Sequence, residues 1–341
     1  MNRQVRKMIR LSGLMIVILV LGVAMGGAAD AGAADTEGAP LERITLVAPP
    51  GPLAIPMVYL VVNNRLSAIA EEIDFSLWKN PGQLRAIVAG NQADFLTLPS
   101  NAAAMFYNKG LGVQLLDISV WNILSVISSD DTIASFSELV GKGIVIPFQG
   151  SMPDLLFRYI AQQQGLDPAV DFELQYAANP RLAAQLLLKG RVQHAVLPEP
   201  LATIVMLQTR GTERPLHRAV QFETELDALG VRAAIAGTVA LAAIQERPDL
   251  IDIFLAEYAL AVAWVIANPD EAGRMAEEHL PELGFKAGPV AQSLRYIDWE
   301  FVPAGEARPY IDAFFTELMT LSPYVVGGAL PGDGFFYQVE Q

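Results

Sequence analysis

Ile44-Thr45-Leu46-Val47-Ala48-Pro49-Pro50-Gly51-Pro52 is a short apolar and β-branched run that stops at a Pro/Gly cluster, and an apolar helical stretch, residues 54–66, follows it. Gly143-Ile144-Val145-Ile146-Pro147-Phe148-Gln149-Gly150-Ser151 repeats the pattern ahead of a second helical stretch, residues 152–164. A strand that turns straight into a helix is the building unit of parallel sheets. The repetition goes on: Ile73-Asp74-Phe75-Ser76-Leu77 echoes Val170-Asp171-Phe172-Glu173-Leu174, and Asn80-Pro81 opens a helical run to Gly90 as Asn179-Pro180 opens one to Gly190. Asn suits the N-cap, Pro the first helical turn, and Gly the stop. A further strand ending in Leu-Pro follows each Gly, at Leu98-Pro99 and Leu197-Pro198. The five landmarks are offset by 98, 97, 99, 100 and 99 residues, so the chain contains an internal duplication.

Each copy reads β-α-β-α-β-α, which gives an α/β fold of two lobes, each a parallel-type sheet with flanking helices. Residues 234–244 are small and apolar and suit a return strand or buried helix of the first lobe; residues 247–267, 269–279, 286–295 and 308–320 read as helices that pack back on it. Lobe 1 is thus expected over residues 40–122 and 232–341 and lobe 2 over 123–231, with two crossovers near 119–128 and 222–233. In open α/β sheets ligands bind beyond the carboxyl ends of the strands, where helix N-termini offer unpaired N–H groups. The strand-end loops 49–53, 78–81, 99–101, 147–152, 177–180 and 198–200 would then line one interlobe cleft.

The chain has 341 residues, 23 basic and 37 acidic side chains, three histidines and no cysteine. A net charge of −14 argues against nucleic-acid binding, which needs clustered Lys and Arg. Zero cysteine excludes thiolate catalysis, iron–sulfur ligation, disulfides and a lipid-modified anchor cysteine. Residues 1–34 carry four cations (Arg3, Arg6, Lys7, Arg10), then an apolar run and a small-residue tail, the pattern of a secretory signal cleaved after Ala29 or Ala34. The apolar run is shorter than the roughly 20 residues of a spanning helix. Without that segment the chain has 19 basic and 36 acidic residues and a charge of −17. Residues 251–267 are the most apolar later stretch, but Asp252 and Glu257 interrupt them and they read as a core helix ending at Asn268-Pro269.

Four segments within residues 44–210 stand in a fixed order: Gly90-Asn-Gln-Ala-Asp-Phe-Leu leading to Asn101-Ala-Ala-Ala-Met-Phe-Tyr-Asn-Lys; Glu138-Leu-Val-Gly-Lys142 before the second lobe's first strand; Gly150-Ser151 with Gly165-Leu-Asp-Pro168; and Glu199-Pro200 after a strand. In order and spacing they resemble the periplasmic substrate-binding proteins of ABC importers for nitrate, taurine, alkanesulfonates and thiamine precursors. The resemblance implies a two-lobed receptor that closes on a small molecule and delivers it to a membrane permease, a free periplasmic monomer with no cofactor and no nucleic-acid partner. The family fold also serves enzymes of menaquinone and thiamine-pyrimidine synthesis. Those act in the cytoplasm, and the latter depend on a cysteine-rich motif impossible here. A sensor or scaffold that presents a ligand to a membrane protein is the third alternative.

The cleft loops are rich in Ser, Thr, Asn, Gln and aromatic residues. Candidate ligand-binding residues are Trp78, Ser100, Asn101, Trp121, Phe148, Gln149, Ser151, Asn179 and Glu199. Ser100 and Ser151 stand where a helix begins just past a strand, so each hydroxyl is expected to cap its helix and also face the ligand. Trp121 lies on the first crossover, as cleft floor or core. Asn80 and Asn179 read as caps, and Glu199 either accepts from a ligand amine or closes a salt bridge across the lobes. Lys79, Arg85 and Arg181 are the basic residues near strand ends, expected to point to solvent. His194, His217 and His279 are isolated, and no catalytic residue or metal ligand is assigned. Trp and Phe faces favour an organic ligand over a small hard anion, which would have to rely on helix N-termini.

Overall fold

The computed structural model describes residues 39–339; the signal segment lies outside the described residues. The first repeat folds as β1 (Leu41–Ala48), α1 (Ala54–Val62), β2 (Ala70–Leu77), α2 (Pro81–Ala89), β3 (Phe95–Pro99) and α3 (Ser100–Asn108). The second folds as β7 (Gly143–Pro147), α4 (Met152–Gln163), β8 (Glu173–Ala177), α5 (Pro180–Leu188), β9 (His194–Pro198) and α6 (Leu201–Thr209). Between the repeats run β4 (Val113–Leu115), β5 (Asp117–Asn122) and β6 (Leu124–Ser128). After them come β10 (His217–Gln221), α7 (Phe222–Ala228) and β11 (Ala236–Leu241), then α8 (Pro248–Ala267), α9 (Pro269–His279), α10 (Ala287–Ser293), β12 (Asp298–Pro303) and α11 (Ala304–Met319).

The seven-stranded sheet has the order β12-β5-β11-β3-β1-β2, with β4 also on β11, and the five-stranded sheet the order β10-β6-β9-β7-β8. In each, the repeat's first strand pairs in parallel with its second and third, and the register is itself repeated: Leu46 faces Phe95 as Ile144 faces His194. An antiparallel strand then joins the third, β11 on β3 and β6 on β9. These two come from opposite directions along the chain, which is why the lobes are not separate segments. Residues 234–244 thus resolve as strand β11. Gly237 belongs there because a Cβ would stand 1.8 Å from the Asp117 carbonyl oxygen of β5.

Asn80 and Asn179 cap α2 and α5, accepting from the Gln83 and Leu182 N–H groups at 3.0 and 2.9 Å, with Pro at the first turn of both. The helix α8 is long and apolar enough to cross a membrane by length and composition. Its Leu250, Ile251, Phe254, Leu255, Tyr258, Ala261, Val262 and Val265 are buried, and Phe254 stacks on Phe95 of β3 at 3.8 Å. The helix α11 begins at Ala304, four residues before the expected start, and runs through Pro309.

The chain leaves the seven-stranded sheet at Asn122 and enters the other at Leu124, so the expected first linker is almost wholly strand. It returns through α7 and residues 229–235. Pairing fixes where these passes occur. Leu124 faces Pro198, Gln221 faces Ser125, Ala236 faces Pro99 and Asp298 faces Asn122. Every one of these residues lies at the carboxyl end of its sheet's parallel strands, so both crossovers and both sets of strand-end loops share one side of each sheet.

Candidate functional site

Three of the sequence candidates converge on the crossovers. Ser100 is buried; its hydroxyl donates to the Ala234 carbonyl and its N–H to the Ile235 carbonyl at 3.0 Å, tying the start of α3 to the return pass. The Glu199 N–H donates to the Ile123 carbonyl of the outward pass at 3.1 Å. Trp121, also buried, donates from Nε1 to the Glu300 carbonyl at 2.9 Å, while the Arg232 guanidinium of the return pass lies 3.6 Å from its ring centroid. Arg232 also faces Tyr310 of α11 at 5.2 Å and pairs with the Glu300 carboxylate. Trp121 and Tyr310 meet edge-on at 88°. The two passes are therefore clasped by one cation between two rings.

Other candidates are used differently. Trp78 is buried and its Nε1 donates to the Thr97 carbonyl, joining the end of β2 to β3. Asn101 donates to the Val325 carbonyl at 3.2 Å. Phe148, at the turn from β7 to α4, is half-buried with a φ of 55°, in the left-handed region uncommon for a bulky residue. Gln149 beside it is exposed, Ser151 half-buried, and Asn179 exposed as the cap of α5. Lys79 and Arg85 are exposed.

Three expectations are corrected. The Ser100 hydroxyl caps no helix, because Pro99 occupies the N-cap and Ser100 is already the first helical residue. The Ser151 side chain does not cap α4. One turn on, buried Asp154 folds back on the loop ahead of the helix, accepting from the Gly150 N–H at 2.8 Å and from Arg158 and Tyr176. Glu199 closes no salt bridge across the lobes. It pairs with Arg218 at 2.6 Å inside the five-stranded sheet, since β9 and β10 flank β6 and bring the two side chains together.

Arg218 is the principal residue missed. It donates to Glu199 and to the Ser125 hydroxyl, both at 2.6 Å, and lies 4.3 Å from the Tyr296 ring. A basic residue in the strand His217-Arg218-Ala219-Val220 has to find an acid if buried, which was the available signal. Glu199 also accepts from the Thr203 N–H at the start of α6. Burial pushes the Glu199 carboxyl up, and Arg218 opposes that shift. At the same edge, burial raises Glu223 of α7, with Asp298 and Asp227 adding repulsion, and raises Asp298 against the pull of Arg232.

Ser128 Oγ and His194 Nδ1 lie 3.0 Å apart, the spacing of a nucleophile and base, but both are buried at the strand ends remote from the crossovers. Burial lowers the His194 pKa. Among the described residues no group of three His, Asp or Glu side chains is placed to hold a metal ion.

The model of the NMT1-like family matches residues 61–277, more than half of the chain, with strands of both sheets. The chain belongs to the NMT1-like family. Among solved structures it is similar to an ABC transporter from Parabacteroides distasonis, with 24% identity and a TM-score of 0.72 over 88% of this chain and 100% of that one. It is also similar to the periplasmic aliphatic sulphonate binding protein SsuA of Escherichia coli, with 16% identity and a TM-score of 0.69 over 88% and 93%. The periplasmic nitrate-binding protein NrtA of Synechocystis PCC 6803 follows, with 13% identity and a TM-score of 0.63 over 83% and 82%. No curated protein matches. At these identities the likeness establishes the fold, two lobes each built on a helix-flanked sheet, shared with substrate-binding proteins of ABC importers.

Proposed function

We propose that the protein is an extracytoplasmic solute receptor. It captures a small organic molecule in the cleft between lobe 1 (residues 40–122 and 232–341) and lobe 2 (123–231), and hands it to the permease of an ABC importer. The observation that carries this reading is the gathering of both crossovers and both sets of parallel-strand ends on one side of the two sheets. That arrangement makes a hinge and a ligand cleft the same place. The signal pattern of residues 1–34 and the lack of cysteine support a free periplasmic monomer.

An organic ligand is favoured by how the cationic groups are used. Arg218 is taken by Glu199 and Arg232 by Glu300. The start of α6 is already filled by the carboxylate of Glu199, and the first turn of α4 carries Asp154. The first turns of α1 and α3 carry no acid. At α1 the Ala54 and Ile55 N–H groups already donate to the Gly51 and Pro52 carbonyls and Pro56 has no N–H. An acceptor group on the ligand therefore belongs at the start of α3, past Ser100, with its body against the aromatic and amide side chains. Binding and closure, with no covalent step, are what such a site performs.

Thermal unfolding over sulfonates, pyrimidines, nitrate, bicarbonate and aromatic acids tests the reading. A true ligand at a hundred times its dissociation constant stabilises by about 2.7 kcal/mol. A pyrimidine or other organic compound is expected to give the largest shift; nitrate alone doing so would overturn the ligand class, and no shift across the panel would count against capture of these solutes.

A further inference from the structure

The segment between α9 and β12 is built from a 3-10 turn (Pro281–Leu283), α10 and a second 3-10 turn (Leu294–Tyr296). It is fastened to lobe 1. Glu277 of α9 accepts from the Ala287 N–H at 2.7 Å and from Lys286 at 2.9 Å. Gly273 of α9 lets the two elements close up, since a Cβ there would stand 2.4 Å from the Ala287 carbonyl oxygen. The helix α9 in turn packs on α1.

The same segment touches lobe 2 at three places. At one end Arg181, from the first turn of α5, donates to the Leu283 carbonyl and lies 5.7 Å from the Phe285 ring. In the middle α10 packs on α6. At the other end the Tyr296 ring covers the Arg218 guanidinium, which Glu199 and Ser125 hold in place. Both guanidinium groups belong to lobe 2 and both rings to lobe 1. Neither contact lies on a crossover, so neither is needed to join the lobes.

We infer that residues 281–296 are a closure strap: a part of lobe 1 that grips lobe 2 through Arg181 and Arg218 and sets how far the cleft stands open. This rests on the hinged-receptor reading above, although the contacts themselves involve no ligand. Cation–π contacts suit a strap because they tolerate sliding of a ring under a cation, and a part-exposed contact can break and re-form. Arg181 is exposed, as expected, and its guanidinium nonetheless reaches the Leu283 carbonyl and the Phe285 ring.

The absence of cysteine makes the test direct. Val170 of lobe 2 and Tyr324 of lobe 1 are 77% and 80% exposed, so V170C and Y324C accept a fluorophore pair. Single-molecule energy transfer is then read without any added solute, in the parent, in Y296A, in R181A and in the double variant. Tyr296 is 43% exposed, so its removal leaves the core intact. A lower-transfer population is expected to grow several-fold in Y296A and further in the double variant. Y296F keeps the ring and should match the parent, as should R274A, which breaks an ion pair internal to α9. Superposable transfer distributions for parent and double variant, both folded by circular dichroism, would overturn the strap. Since no solute is used, that outcome is separate from a failure of the ligand panel.

Discussion

Glu199 and Arg218 are side chains with almost no access to water, 0% and 10% exposed. Removing one partner of such a pair leaves an uncompensated buried charge, a loss of about 3–5 kcal/mol, whereas the intact pair adds little net stability. Its value is geometric: the pair fixes the guanidinium that Tyr296 covers. Asp117 is the opposite case. It is wholly buried on β5, where its Oδ2 accepts from the Thr238 hydroxyl and N–H, while the Ser119 hydroxyl stands 3.5 Å from that of Tyr258 of α8. With no cation supplied, burial raises its pKa from 3.8 to about 7. Between those values the folded chain holds a proton the unfolded chain has released. Stability must therefore fall as pH rises from about 4 to about 7, by up to about 1.4 kcal/mol per pH unit, and level off above. Asp117→Asn keeps an acceptor for Thr238 without the titration. Urea unfolding at pH 5, 6, 7 and 8 should show a shallower slope for the variant; identical slopes would place the titration elsewhere.

At the scale of the element, the two Asn-Pro starts carry a matching expectation. Asn80→Ala and Asn179→Ala each lose one side-chain cap, worth about 1 kcal/mol, and the double variant should lose the sum because the caps sit in different lobes. Denaturant unfolding checks this; a single transition with additive losses means that the lobes unfold as one unit, and a strongly non-additive pair would mean that the lobes unfold separately or that the two caps interact. These caps were legible because the side chain bonds to an N–H three residues away, a contact that sequence spacing alone specifies. The succession of strands and helices along each repeat was legible for the same reason, since Leu-Pro and Gly punctuate each βα unit; the order of strands across the sheets was not, because it is set by pairings between distant residues. The serines stand at the helix starts, but neither hydroxyl caps. Ser100 follows a Pro that already occupies the N-cap, and at Ser151 the N-cap residue meets the Asp154 N–H with its backbone carbonyl, at 2.9 Å, and not with its side chain. The clasp of Trp121, Arg232, Tyr310 and Glu300 left no local trace. Its members are up to 189 residues apart, from Trp121 to Tyr310, and meet only because β11 and β12 return to the first sheet.

At the scale of the whole molecule, the duplicated half explains why the chain passes twice between the two sheets. Each copy needs an antiparallel fourth strand, and the chain supplies β6 from before the second repeat and β11 from after it. Two strands therefore have to cross, at the ends where helices α1, α3, α4 and α6 begin. The crossovers carry Asn122, Trp121 and Arg232, and the proposed strap meets the second repeat at α5, α6 and β10. Closure of such a frame around a small molecule is a change of shape that can be read without knowing any contact. Small-angle scattering of the protein, alone and with the compound that most raises its unfolding temperature, measures it most directly. A solute receptor predicts a smaller radius of gyration with the compound; an unchanged radius at saturating compound would contradict capture by closure.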